Sequence, residues 1–142
     1  MYVSHYCFFF SATIQPICIP HVTGLDMTGD TVKVLGWGRR SDGGPRSQYL
    51  RSVEVDIWSQ STCKRTYAGV ATVRPEMICA NKLNKDSCTG DSGGPLVQCH
   101  GGRCVLVGVA SWGVGCADNK YPGVYTRIDY FKHWLENIVS QT

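Results

Sequence analysis

The stretch PLVQCHGGRCVLVGVASWG, Pro95 to Gly113, reads as two apolar arms folded about Gly101 and Gly102. A Gly-Gly pair suits a two-residue hairpin turn, because both central residues there take positive φ. Folding at that point sets Cys99 opposite Cys104, within reach of a cross-strand disulfide. An antiparallel hairpin in the middle of the chain asks for further strands on either side of it.

Those strands are legible. TVKVLGW, Thr31 to Trp37, is β-branched and aromatic and stops at Gly38. LRSVEVDIW, Leu50 to Trp58, places Val53, Val55 and Ile57 on one face at a period of two, the mark of a half-buried strand. PGVYTRI, Pro122 to Ile128, is one more. The period then changes. Phe131, Trp134, Leu135 and Ile138 fall at i, i+3, i+4 and i+7, which predicts an amphipathic helix packed on a barrel, with Asp129 capping its start. Internal repeats and a low-complexity linker are absent, so the sequence predicts one all-β unit with a terminal helix.

The chain has 142 residues, enough for one modest domain with a real core. Its formal net charge is +3, and the charges are scattered. The densest cluster, GRRSDGGPR from Gly38 to Arg46, mixes three arginines with an aspartate and reads as a solvated loop. A nucleic-acid surface would want a longer basic stripe. No apolar run reaches the ~18 residues of a membrane span. MYVSHYCFFFSATIQP at the start lacks the basic opening and the long apolar run of a secretory signal.

Eight cysteines are many for this length. No C-x-x-C occurs, and of the four histidines only His5 and His100 stand near a cysteine, so metal-ligand spacing is missing and no metal or cofactor is expected. An even, widely spaced set argues for disulfides and an oxidising, extracellular compartment. Eight cysteines allow 105 pairings, so the spacing alone fixes none beyond the hairpin proposal.

One run asks for chemistry. DSCTGDSGGP, Asp86 to Pro95, surrounds Ser92 with acids, glycines and a cysteine. A serine hydroxyl attacks a carbonyl only when a base takes its proton. The oxyanion that results needs donors already in place, and backbone N–H groups serve where the chain can approach closely. Gly90 before the serine and Gly93-Gly94 after it fit such a loop. The same residues match G-x-S-x-G, the elbow that carries a nucleophile between a buried strand and a helix. Polar NKLNKDSC precedes it here and a strand follows, so that context is not met.

These residues resemble a known family. DSCTGDSGGP, VASWGVGC, YPGVYTRI and a Trp-bearing terminal helix, with VLGWGR, PEMICA and IQPICIP, are similar to the second half of trypsin-like serine proteases of the chymotrypsin family. The resemblance covers residues 11–142, a partial protease domain, and leaves residues 1–10 unlike the family. It implies an all-β, chymotrypsin-like six-stranded antiparallel barrel, the second of two, with a C-terminal α-helix. It implies Ser92 as nucleophile, the N–H groups of Gly90 and Ser92 as the oxyanion hole, and Asp91 as the acid that receives the new N-terminal amine on activation. Asp86 would floor the specificity pocket and favour Arg or Lys side chains through a charge-assisted contact. Ser87 would line that pocket. Ser111, Trp112 and Gly113 would pair with the substrate backbone, with Gly113 and Gly123 keeping the pocket open.

The resemblance further implies Cys63–Cys79 and Cys88–Cys116 bridges, and matches Cys18 to a cysteine that bonds to a pro-region. The Cys99–Cys104 bridge departs from it: the family often ties the GWG strand to the strand after the nucleophile, and this chain has Val32 and Lys33 where that cysteine would stand. Partners implied are protein or peptide substrates with Arg or Lys, and protease inhibitors, in a secreted setting. The family's histidine base and orienting aspartate lie before QPICIP. His5 lacks the family context, and His21, His100 and His133 read as surface histidines. The expectation is therefore a chain that carries nucleophile and pocket without base, inactive by itself; the alternative is a non-catalytic binding module.

Overall fold

The computed structural model describes residues 9–116, 118 and 120–140. His5 and Cys7 lie outside the described residues. Six strands, β1 (Thr31–Gly36), β2 (Arg51–Ile57), β3 (Met77–Asn81), β4 (Pro95–His100), β5 (Arg103–Trp112) and β6 (Gly123–Arg127), close into a barrel in the order β1-β2-β3-β6-β5-β4. All neighbours are antiparallel. The hairpin forms as the Gly-Gly turn requires: Gly101 and Gly102 take φ of 56° and 79°, and Cys99 stands opposite Cys104.

Period-two alternation does the rest. Val32 and Val34 of β1, Val55 and Ile57 of β2, Ile78 and Ala80 of β3, Leu96, Val107, Ala110 and Tyr125 turn inward and form the barrel core with Met27. Burying one such aliphatic side chain contributes about 1.5–3 kcal/mol, so the barrel interior is the main source of cohesion. Closure falls between β1 and β4, where Lys33 pairs with Val97 and Val34 with Leu96. Gln98 Nε2 adds a hydrogen bond to Asp30 Oδ2 at 2.8 Å beside that seam.

A second cluster lies outside the barrel. Helix α1 (Gln60–Thr66) starts at Ser59, whose Oγ accepts from Thr62 N. It carries Cys63, which bonds Cys79 of β3, and Tyr67 and Val73 pack beside that bridge. Disulfides also join Cys88 to Cys116 and Cys99 to Cys104. Cys18 is exposed and forms no disulfide among the described residues; its carbonyl accepts from Leu106 N at 2.8 Å, holding the early chain along β5.

The end of the chain corrects one expectation. Asp129 does not cap the terminal helix. It opens a 3-10 turn (Asp129–Phe131), and helix α2 (Lys132–Val139) begins after Phe131 with no side-chain cap. The Asp129 carboxylate is buried instead, bidentate to the Arg127 guanidinium at 2.6 and 2.9 Å and accepting from Gly24 N and Leu25 N. A buried carboxylate needs several donors, and that demand outcompetes a cap. Nor is α2 sunk into the barrel: none of its residues is buried, and Trp134 is half exposed.

Candidate active site

The segment between β3 and β4 is stitched down at every turn. Asp91 N donates to Cys88 O at 2.9 Å and Gly94 N to Asp91 O at 2.8 Å. Gly93 N then donates to Ala110 O, and Ala110 N to Gly94 O, both at 2.8 Å, fastening the segment to β5. The Cys88–Cys116 bridge fixes its near end to the loop after β5. Ser92 is left exposed at the crest. Among the described residues, neither Gly90 N–H nor Ser92 N–H donates to a protein acceptor. Two backbone donors beside one serine hydroxyl are what an oxyanion needs.

Asp91 points the other way. Its Oδ1 accepts from Gly38 N at 2.7 Å and its Oδ2 from Cys88 N at 3.0 Å. A β-carbon on Gly36 or Gly38 would collide with this carboxylate, so the G-W-G spacing around Trp37 is the space Asp91 occupies. With Gly36, Gly38, Arg39 and Arg51 it lines a cleft of about 230 Å³ behind the Cys88–Gly94 segment.

In front lies a second cleft, of about 240 Å³. Asp86, Ser87, Gly90, Ser92, Ser111, Trp112, Gly113 and Gly123 all line it, so the structure brings together every residue expected of pocket and nucleophile. Asp91, expected as the activation-linked acid, does not line it. At the base, Asp86 Oδ1 accepts from Ser87 N at 2.7 Å. A β-carbon on Gly123 would stand 2.5 Å from that oxygen, so glycine at 123 leaves the carboxylate its place. No histidine is among the described lining residues. His100 lies at the far tip of the β4–β5 hairpin, His133 faces Glu136 on α2, and His21 is exposed ahead of the barrel.

Sequence reasoning missed the residues that brace these walls. Tyr125 of β6 donates from its hydroxyl to Ser87 Oγ at 3.1 Å, and burial pushes that hydroxyl's pKa far up, so it stays a neutral donor. Tyr67 donates to Pro122 O at 2.6 Å and sets its ring edge-on to Trp112, centroids 5.0 Å apart. Burial, then the Asp86 charge, push its pKa up to about 12. Tyr125 was visible inside YPGVYTRI. Tyr67 stands in a polar run with no periodic signal.

Comparison with known proteins fits this geometry. The Trypsin family model matches residues 8–135. The chain belongs to the trypsin family. It is 44% identical over 131 residues to trypsin alpha-4 of Lucilia cuprina, covering 92% of this chain and 49% of that protein. It is 41% identical over 129 residues to trypsin-1 of Astacus astacus, covering 89% and 53%. Against the suppressor of tumorigenicity 14 protein homolog of Bos taurus it is 41% identical over 130 residues, 89% of this chain and 15% of that protein. This trypsin-family chain thus spans about half the length of the two trypsins and far less of the larger relative.

Proposed function

We propose that these residues are the nucleophile- and pocket-bearing barrel of a secreted serine endopeptidase that cleaves after Arg or Lys. One observation carries the reading: the Asp86 carboxylate and the Ser92 hydroxyl share a single cleft. A guanidinium or ammonium reaching Asp86 sets the carbonyl of its own residue beside Ser92. A base then takes the Ser92 proton as Oγ attacks the carbonyl carbon, and the oxyanion is held by the Gly90 and Ser92 N–H groups. Collapse expels the amine, which takes the proton from the base, and water repeats the steps to release the acid. Asp91 would hold a chain-terminal amine that fixes the segment.

The base and its orienting acid come, in this reading, from outside the described residues, and the chain by itself does not turn over. Labelling with a fluorophosphonate probe tests this. Purified chain is expected to label negligibly, because loss of the base costs orders of magnitude in rate. Labelling at the rate of an intact protease, abolished in Ser92→Ala, would overturn it. The second reading, a binding module acting through the cleft, is favoured by the completeness of the pocket walls within these residues. Cys18, exposed ahead of the barrel, suits a bond to a pro-region, and the cleft suits protease inhibitors as partners. Three disulfides support an extracellular setting.

A further inference from the structure

We propose that Arg46 recognises an acidic side chain on the leaving-group side of the cleaved bond, so that Arg or Lys followed closely by Glu or Asp is the preferred site. This rests on the reading above, in which Ser92 attacks a peptide whose basic residue fills the Asp86 cleft.

The nucleophile segment is a partition with two faces. One face is the cleft, walled by Ser111, Trp112, Gly113 and Gly123. Against the other lies the loop from Trp37 to Arg46. Arg39 N donates to Thr89 O at 3.0 Å. A β-carbon built on Gly90 would stand 3.2 Å from Arg46 Nε, 3.4 Å from its Cζ and 3.4 Å from Gly38 Cα. The Arg46 guanidinium therefore rests against the residue whose N–H faces the oxyanion. A substrate with its basic side chain in the cleft and its carbonyl at Gly90 and Ser92 has used the first face. Its continuation leaves across the second. An extended chain advances about 3.3 Å per residue, so the first or second residue beyond the bond passes over Arg46.

Charge selects what that residue is. Arg46 is exposed, and among the described residues no carboxylate forms an ion pair with it or with Arg40. Arg39 is turned inward, its Nη1 donating to Gly44 O at 2.9 Å. Asp42 is the only acid between Gly38 and Arg46. The loop thus presents excess positive charge beside the bond to be cut. A guanidinium accepts a carboxylate with two parallel hydrogen bonds and repels a cation.

The test uses the longest natural form of the protein that carries these residues. Internally quenched peptides share an Arg before the bond and carry Glu or Lys in the two positions after it; each rate is normalised to a peptidyl-Arg coumarin amide, which has no residue there. The Glu peptide is expected to exceed the Lys peptide in kcat/KM by about fivefold at low salt, the size an exposed charge contact supports. The ratio is expected to shrink at high salt, to fall near one in Arg46→Gln, to invert in Arg46→Glu and to survive in Arg46→Lys. A merely structural role would lower both peptides together and leave the ratio in place. If the coumarin amide is cut but the peptides do not differ, or the preference survives Arg46→Gln, this inference is overturned and the protease reading stands. If nothing is cut, both fall.

Discussion

At position 123 a hydrogen is all that fits between β6 and the Asp86 carboxylate. An alanine there would bring Cβ to 2.5 Å from Asp86 Oδ1 and 3.2 Å from the Tyr125 ring. The carboxylate is the end of a side chain and can move aside, so Gly123→Ala is expected to fold, losing about 1–2 kcal/mol of stability to overpacking. Binding of benzamidine is expected to weaken at least about tenfold, since the charged partner is displaced. Titration followed by calorimetry, beside a urea melt, separates the two effects. Asp129 gives a second prediction at this scale. Burial pushes its carboxyl up, but the Arg127 guanidinium and the amides of Gly24 and Leu25 outweigh that and hold it below the usual carboxylate range. The folded pKa lies under the unfolded one, so the stabilisation is present above about pH 4 and lost as pH falls below it. Asp129→Asn is expected to cost about 3 kcal/mol at neutral pH, by leaving Arg127 without its charged partner. It is also expected to flatten the acid limb of stability against pH. An unchanged acid limb would show that Asp129 is not the group responsible. A sequence cannot reveal this role. Asp before a helical stripe is a proper cap signal, and the donors that claimed it, Gly24 and Leu25, lie more than a hundred residues away.

At the scale of elements, legibility followed local signal. The hairpin, β1, β2 and β6 each carry two-residue alternation or a turn whose chemistry admits one geometry, and all formed where the sequence put them. β3 did not announce itself: MICAN is five residues, buried along most of its length, and without alternation to read. Helix α1 is seven residues with one buried side chain, Cys63, so it has no apolar stripe. Its signal was Ser59 followed by Thr62, a cap legible only once the disulfide to β3 gives the helix something to rest on. The Cys99–Cys104 bridge was legible because the Gly-Gly turn fixes the register. Its loop is short, so the chain-entropy gain is modest, about 2 kcal/mol. Cys99→Ser with Cys104→Ser is expected to lower Tm by roughly 4–8 °C and to keep the barrel, because the register Gln98↔Val105 and Pro95↔Val109 is held by the ladder. Thermal melts by circular dichroism check it. A collapse of the fold would show that the bridge, and not the turn, sets the hairpin.

For the whole molecule, the question is which parts of catalysis one barrel can hold. The cleft, Asp86, Ser92 and two N–H groups that donate to no acceptor among the described residues all belong to strands of this barrel or to the loops between them, two of which Cys88–Cys116 joins. The Asp91 carboxylate accepts from Gly38 N and Cys88 N, which ties the segment to the chain just after β1. The three motifs that build the cleft were legible because each sits in one short run, whereas the bracing contacts of Tyr67 and Tyr125 were not, since their acceptors, Pro122 O and Ser87 Oγ, lie far away along the chain. Recognition and turnover should therefore separate in the purified chain. Benzamidine is expected to bind it, to bind Ser92→Ala equally, and to bind Asp86→Asn at least about tenfold more weakly, as loss of a charge-assisted contact demands. Hydrolysis of a peptidyl-Arg coumarin amide is expected to stay at background in all three. Equal binding to Asp86→Asn would place the amidine elsewhere and remove the basis for Arg and Lys preference. Turnover by the unaltered chain would mean that a base reaches Ser92 from within these 142 residues, and that the barrel alone is an enzyme.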